Sequence, residues 1–166
     1  MRIGHGYDAH PFAADRELVL GGVRIPHERG LAAHSDGDAV IHALCDALLG
    51  AAGLDDIGCR FPDTDAAHKG ADSRIFLRQV MAAVRERGLR VENMDITVLA
   101  QRPRLAPHCA AIRQCLSKVA GVPPGRIGIK ASTNEGMGFV GREEGLAAHA
   151  VVLLAEDAPA PGNGDA

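Results

Sequence analysis

The hydrophobic pattern is densest between positions 35 and 53. Its apolar residues are spaced so that they cover most of the circumference of a helix: Val40, Ile41, Leu44, Cys45 and Leu48. An apolar surface on nearly all sides predicts a helix that is buried. We expect Ser35 or Asp36 to cap the N-terminus of this helix and Gly53 to end it.

Three polar residues, Asp38, His42 and Asp46, recur along this helix at intervals of four. Residues four apart lie on one face of a helix, and the segment 38–52 contains no Lys or Arg that would make this an ordinary solvated face. A polar stripe on a buried helix needs a partner. Two interpretations stay open here: a buried histidine satisfied by the aspartates of its own helix, or a metal ion held by His42 and oriented by carboxylates.

Residues 2–10 alternate as the residues of a strand do. One face carries Ile3, His5 and Tyr7, and the other carries Gly4, Gly6, Asp8 and His10. The two glycines leave room for a bulky group to approach the second face. An Asp-x-His sequence can also be a simple turn leading into Pro11. Together with His42, however, it supplies two imidazoles and a carboxylate, a set that suits Zn²⁺ with a fourth position left open, as in catalytic zinc sites.

The remaining pattern predicts an α+β domain with a mixed sheet and helices packed on one side. We expect a hairpin over 18–25 turning at Gly21-Gly22, a helix from Asp72 or Ser73 to Gly88, a helix over 107–120, and strands over 95–100, 126–132 and 145–154. In the helix that ends at Gly88, the residues expected to point inward are Ile75, Phe76, Val80, Met81 and Val84. The long acidic segment 55–71 is predicted to be functional and to close over a substrate.

Length and composition restrict the class of protein. The 166 residues are expected to form one domain over 1–156 followed by a disordered tail over 157–166. A net charge of −3 with intermingled signs argues against nucleic acid or a membrane surface as a partner. We find no signal peptide and no apolar run long enough to span a membrane, and therefore expect a cytoplasmic protein. The four cysteines lack metal-binding spacing and are expected to be buried free thiols, so any metal must use His and carboxylate ligands.

Several longer motifs resemble those of the 2-C-methyl-D-erythritol 2,4-cyclodiphosphate synthase family, from residue 1 to about residue 155. They are Met1 to Pro11 with Asp8 and His10, His34-Ser35-Asp36-Gly37-Asp38 with His42, Phe61-Pro62-Asp63-Thr64-Asp65, Lys69-Gly70-Ala71-Asp72-Ser73, and Gly138-Phe139 before Gly141-Arg142. Asn134, Gly136-Met137, Glu143 and His149 depart from the family pattern.

The resemblance implies a homotrimeric lyase of the non-mevalonate isoprenoid pathway, assembled around a sheet-lined axis. Such an enzyme converts 4-diphosphocytidyl-2-C-methyl-D-erythritol 2-phosphate into the cyclic diphosphate and CMP. By the same resemblance, the ligands of Zn²⁺ are Asp8, His10 and His42. Glu135 is implied to help hold a second cation, Mg²⁺ or Mn²⁺, and His34 and Thr133 to support the transition state.

The resemblance also implies which residues bind the substrate. The methylerythritol phosphate part is assigned to His34, Ser35, Asp56, Gly58, Phe61, Pro62, Asp63, Thr64 and Asp65, and the implied zinc ligands Asp8 and His10 are also counted among the substrate-binding residues. The cytidine part is assigned to a neighbouring subunit's Ala100, Gln101, Arg102, Pro103, Arg104, Leu105, Ser132, Thr133, Asn134 and Glu135. Phe139 and Arg142 complete the implied set.

The chemistry of the residues agrees with this assignment. A phosphomonoester has a second pKa of about 6, so an attacking phosphate needs no general base at neutral pH. What it needs is charge neutralisation and alignment, which metal ligands supply and a nucleophilic Ser or Cys does not. The bare ligands would also suit a phosphohydrolase using zinc-bound water, or a non-catalytic zinc module with a fully coordinated ion. His5, His27, His68, His108 and His149 are interpreted as surface or packing residues.

Overall fold

The structure is a computed structural model that describes residues 1–62, 64–65, 68 and 70–157. Its strands are β1 (Arg2–Ala13), β2 (Leu18–Leu20), β3 (Val23–Ile25), β4 (Gly30–Leu31), β5 (Leu89–Leu99), β6 (Ile127–Ser132) and β7 (Gly145–Glu156). Its helices are α1 (Ala39–Ala52), α2 (Ile57–Arg60), α3 (Ser73–Glu86), α4 (Cys109–Ala120) and α5 (Gly138–Gly141), with short 3-10 turns at Ala106–His108 and Pro124–Arg126. The extent of the domain and the C-terminal tail stay predictions, since residues 158–166 lie outside the described part.

A mixed five-stranded sheet with the order β4-β1-β7-β5-β6 forms the base of the fold. The β1–β7 and β5–β7 pairs are antiparallel, whereas β5 and β6 are parallel. Helix α1 packs on β1 and β7, α3 packs on α1, and α4 packs against β6. The predicted α+β class with a mixed sheet is therefore confirmed. The predicted hairpin is also confirmed as β2 and β3, joined by Gly21 and Gly22 with φ of 59° and 74°.

Helix α1 is the buried helix that the hydrophobic pattern predicts, and it lies directly on β1. A Cβ added to Gly6 would lie 1.9 Å from the Ala43 carbonyl oxygen, and one added to Gly4 would lie 2.0 Å from that of Ala47. The bulky group that these glycines admit is therefore the backbone of α1. This close approach brings His42 of α1 next to the end of β1.

The predicted cap at Ser35 or Asp36 is wrong, because Asp38 caps α1. Its Oδ1 accepts the N–H of Ile41 at 3.0 Å and that of Gly21 at 2.8 Å, and its Oδ2 accepts the N–H of Gly22 at 2.6 Å. Burial raises the pKa of Asp38 to about 6, although the three amides act in the opposite direction. Asp38 thus joins the hairpin to α1 and does not orient His42.

Helix α3 follows its prediction except at Ile75. The Asp72 side chain caps it by accepting the N–H of Arg74 at 2.9 Å. Ile75, predicted to point inward, is 45% exposed. It lies on the solvent side of a helix whose buried residues include the other four predicted positions: Phe76, Val80, Met81 and Val84.

Among the described residues, no helix is both long enough and apolar enough to cross a membrane. All four cysteines are free, as predicted. Their predicted burial holds for Cys45 alone, since Cys59 is exposed and the other two are partly buried.

Candidate functional site

The side chains of Asp8, His10 and His42 converge at the contact between β1 and α1. The Asp8 Oδ2 atom lies 2.8 Å from His10 Nε2 and 3.1 Å from His42 Nδ1. The two ring nitrogens are 3.3 Å apart. All three side chains are partly buried, and one ligand atom from each lies within 4.8 Å of the others. The predicted convergence of two imidazoles and a carboxylate is therefore confirmed.

Asp8 interacts electrostatically with both imidazoles of this cluster. Burial opposes its ionisation, but hydrogen bonds and the charge interactions with His10 and His42 hold the pKa of Asp8 well below its usual range. Burial also acts to lower the pKa of His42, yet the hydrogen bond and charge of Asp8 raise it. A cation placed here would take over the stabilisation that a protonated histidine otherwise provides.

Hydrogen bonds outside the cluster orient both imidazoles. His10 Nδ1 lies 3.0 Å from the Ala32 carbonyl oxygen, which can only accept, so Nδ1 carries a proton and, in the neutral imidazole, Nε2 faces the cluster with a lone pair. His42 Nε2 lies 2.9 Å from Ser73 Oγ, and that hydroxyl donates to Asp36 Oδ1 at 2.5 Å. The Ser73 oxygen therefore accepts from His42 Nε2, leaving a lone pair on Nδ1. Two lone pairs and a carboxylate at one point fit a metal ion.

The carboxylates predicted to orient His42 do not do so. Asp38 caps α1, and Asp46 accepts the N–H of Ile57 at 2.8 Å, which ties α1 to α2. Ser73, backed by Asp36, takes the orienting role instead, and Ser35 Oγ lies 3.2 Å from the same His42 Nε2 atom. Ser73 and Asp36 lie within the quoted motifs, but their pairing across 37 positions is not visible in the spacing of either motif.

A cavity of about 250 Å³ opens beside the cluster. Its walls include six predicted site residues: His10, His34, Ser35, His42, Gly58 and Phe61. Four further lining residues had no predicted role in binding: Ala33, Ile57, His68 and Phe76. The rings of Phe61 and Phe76 stack with their centroids 4.7 Å apart, which makes one wall aromatic. His34 Nε2 is buried and has no hydrogen-bond partner among the described residues.

Of the other described residues predicted to bind the methylerythritol part, Asp56, Pro62, Thr64 and Asp65 do not line this cavity. Asp56 is exposed and caps α2 by accepting the N–H of Cys59 at 2.8 Å. Pro62, Thr64 and Asp65 are exposed. Asp63 and Lys69 lie outside the described residues.

A second cavity, of about 280 Å³, lies where the parallel strands β5 and β6 end. It is lined by Ala100, Gln101, Pro103, Arg104, Leu105, Ala106, Ala131, Ser132 and Thr133. The structure thus brings together most of the predicted cytidine-binding residues. Arg102 lies in an adjacent cavity, where its Nε is 3.3 Å from Glu143 Oε1. The described residues that line the first cavity and those that line the second have no member in common.

Glu135, the predicted ligand of a second cation, is not part of the cluster formed by Asp8, His10 and His42. It is exposed, has a φ of 51°, and accepts a hydrogen bond from Thr133 Oγ1 at 2.7 Å. Asn134 is partly buried between the two.

The last predicted residues and two of the remaining histidines lie near β1. Phe139 lines a small cavity together with Ala9, His10, Pro11 and Glu144. Arg142 is exposed and pairs with Glu144, its Nε lying 2.8 Å from Oε1. On the face of the sheet away from α1, His5 Nε2 lies 3.1 Å from His149 Nδ1, so these two histidines contact each other.

Comparisons with known proteins agree on one family. The model described as "YgbB family" matches residues 1–155. The chain is 59% identical over 157 residues to the 2-C-methyl-D-erythritol 2,4-cyclodiphosphate synthase of Nitrosococcus oceani, covering 95% of this chain and 99% of that protein. It is 60% identical over 154 residues to the synthase of Thioalkalivibrio sulfidiphilus, covering 93% and 96%.

Solved structures of such synthases have the same fold. A structure of 2C-methyl-D-erythritol-2,4-cyclodiphosphate synthase in a bound form with CDP is similar with a TM-score of 0.85 and 44% identity, covering 93% of this chain and 100% of that chain. An IspF–CDP complex from Plasmodium falciparum is similar with a TM-score of 0.84 and 33% identity, covering 95% and 97%.

Proposed function

Because the chain belongs to the YgbB family of 2-C-methyl-D-erythritol 2,4-cyclodiphosphate synthases, we propose that its cyclisation site is built around Asp8, His10 and His42. The chain is a phosphorus–oxygen lyase that converts 4-diphosphocytidyl-2-C-methyl-D-erythritol 2-phosphate into the cyclic diphosphate and CMP. The observation that supports this location is the convergence of the three side chains beside a cavity that His34 lines.

The triad would hold Zn²⁺. This ion accepts His nitrogen and Asp oxygen, and three protein ligands leave a fourth position for a substrate oxygen. When bound, the ion supplies positive charge that lowers the repulsion between the two phosphate groups. The lone pairs of His10 Nε2 and His42 Nδ1 and the ionised Asp8 match this requirement. Glu135, a hard oxygen ligand, is proposed to help hold a second cation, Mg²⁺ or Mn²⁺.

In the reaction, an oxygen of the 2-phosphate attacks the phosphorus nearer to the methylerythritol, and the bond from that phosphorus to the CMP oxygen breaks. The attacking phosphate is already ionised, so the residues have to align and stabilise charge without removing a proton. His34 Nε2 is buried without a partner among the described residues and lines the cavity, so we assign it as a donor to a phosphate oxygen. Thr133 is proposed to act similarly on the diphosphate. The aromatic wall of Phe61 excludes water beside the carbon chain.

We further propose that the cytosine base binds in the second cavity and is read by backbone groups of residues 100–105. A uridine substrate would leave buried polar groups of such a site unpaired, at a cost of about 1–3 kcal/mol. We expect kcat/KM for the uridine analogue to be about 10- to 100-fold lower than for the cytidine substrate. Parallel steady-state measurements test this, and equal values for the two substrates would contradict it.

A complete site is proposed to need two subunits of a homotrimer. The first cavity, beside Asp8, His10 and His42, is called the metal cavity, and the second cavity, at the ends of β5 and β6, is called the nucleotide cavity. The two share no lining residue among those described. The sheet face away from α1 also exposes Ile3 at 73%, Tyr7 at 47% and Val151 at 39%, a surface suited to an axis between subunits.

Subunit mixing tests this arrangement. We expect His42→Ala to form an inactive trimer, and Thr133→Ala to form a trimer whose turnover is lowered by about 10- to 1,000-fold, the range for losing one transition-state donor. Co-expressed, they should form mixed trimers in which about a quarter of the sites combine an intact His42 with an intact Thr133 from the neighbour. Activity recovered in that range, with a trimer in sedimentation, is the expected result. A monomer at micromolar concentration, or a mixture no more active than its parents, would contradict shared sites.

A further inference from the structure

Arg16 lies in the turn between β1 and β2, outside every motif discussed above. Its guanidinium donates two hydrogen bonds, from Nη1 to the Ala33 carbonyl oxygen at 2.7 Å and from Nη2 to the Ser35 carbonyl oxygen at 2.5 Å. These two carbonyls belong to the residues on either side of His34. We propose that Arg16 is a positioning residue for His34, an inference that rests on the proposed role of His34 in cyclisation.

The geometry of a guanidinium suits this task. Its planar fork presents two N–H groups in a fixed relation, so a bidentate contact restrains its two acceptors with respect to each other. Here the acceptors lie in the chain before and after one residue, and the backbone of His34 is therefore held from both sides. The His34 carbonyl oxygen itself accepts the N–H of Gly70 at 2.8 Å, which adds a third restraint.

Arg16 is itself held by its surroundings. Asp15 adopts a φ of 58°, a left-handed conformation that Asp tolerates better than most residues, and this turns the chain after β1. Gly30 in β4 packs directly on the next residues, since a Cβ there would lie 2.4 Å from the Glu17 carbonyl oxygen and 2.7 Å from that of Arg16. The Arg16 side chain is partly buried. Arg16 therefore connects the turn between β1 and β2, which packs on β4, to the loop that carries His34.

The hydrogen bonds from Arg16 to the backbone around His34 matter because, within the described part of the chain, the His34 ring lacks a hydrogen bond at one of its nitrogens. Its Nε2 has no hydrogen-bond partner among the described residues, so this atom does not help to fix the ring before substrate arrives. A donor of this kind contributes to the transition state only when its backbone places it correctly, and a displacement of about 1 Å can cost about 100-fold in rate. Arg16 reaches His34 only through the backbone and lies outside the residues lining the metal cavity.

A double-mutant cycle separates positioning from general stabilisation. The variants are Arg16→Ala, His34→Ala and the two combined, with kcat, KM and bound zinc measured for each. Arg16→Ala is expected to lower kcat by about 10- to 100-fold with zinc retained. In the His34→Ala background the same change is expected to lower kcat by less than about twofold, because the group it positions is gone. Arg16→Lys, which keeps a cationic donor, should recover part of the loss.

Arg24→Ala is the matched control. Arg24 is on β3 and pairs with Glu17, both side chains being largely exposed, so its loss should leave kcat unchanged. The proposal would be overturned if Arg16→Ala lowered kcat by the same factor with and without His34. It would also be overturned if the Arg16→Ala protein kept an unchanged kcat or lost its zinc. If Arg16→Ala does not fold, the cycle is run with Arg16→Lys and judged by the same criteria. Absence of cyclic product from the unmutated protein would instead refute the proposed function.

Discussion

Replacing His42 by alanine is expected to abolish zinc binding and cyclisation together while the fold survives. His42 supplies one of the two lone pairs that face Asp8, and two remaining ligands do not make a catalytic zinc site. The helix keeps its Asp38 cap and its buried apolar residues, so its packing on β1 should persist. Zinc is measured by elemental analysis, folding by circular dichroism, and activity by release of CMP.

His34→Ala is the matched control, because His34 lines the same cavity without belonging to the triad. It should retain stoichiometric zinc while turnover falls by about 10- to 1,000-fold, the range for losing one transition-state donor. A His42→Ala protein that still carries stoichiometric zinc and makes product would refute the assignment of the ligands. A His34→Ala protein that loses its zinc would show that His34 supports the metal.

The second large effect is expected at Gly6, where an added methyl group should drive α1 away from β1. The Cβ of Gly6→Ala would lie 1.9 Å from the Ala43 carbonyl oxygen and 2.7 Å from the Ala47 nitrogen. Both atoms belong to the helix backbone, so the helix must shift as a unit. We expect a loss of about 3 kcal/mol or more in the free energy of unfolding, measured by denaturant titration. Zinc affinity should fall as well, because the shift separates His42 from the ligands on β1.

Gly50→Ala provides the comparison, since it introduces the same group into the same helix. A Cβ at Gly50 meets nothing within 4 Å, and alanine favours a helix over glycine by about 0.5–1 kcal/mol. This variant should be more stable than the unmutated protein and keep its zinc affinity. If Gly6→Ala changed stability by less than about 0.5 kcal/mol, the described packing of α1 on β1 would be wrong.

Features encoded within a short stretch of chain could be predicted from the sequence. The period of four that includes His42 and the period of two that includes Asp8 and His10 were enough to find three candidate ligands. Features that depend on distant pairing could not. Asp38 was assigned to the polar stripe because two of its three amide partners belong to a hairpin 16 and 17 residues away.

Pairing between distant parts of the chain also explains other differences between the predicted and the observed structure. Ser73 and Asp36 orient His42 across a long separation, and no local period connects them. Strand β5 was predicted over 95–100 but begins at Leu89. Its first part was not predicted because a register irregularity between Val91 and Asn93 interrupts the alternation of buried and exposed residues. Most of the substrate-binding positions, including those in the nucleotide cavity, came from the family resemblance and not from patterning.

The proposed site joins two phosphates of one substrate molecule, in contrast to a hydrolase that would use the same ligands. Phosphorus NMR of the reaction run in ¹⁸O-labelled water distinguishes the two directly. We expect one cyclic diphosphate for each CMP released, with no labelled oxygen in either product. A linear methylerythritol bisphosphate carrying one labelled oxygen would contradict it, because a water molecule would then have attacked in place of the 2-phosphate.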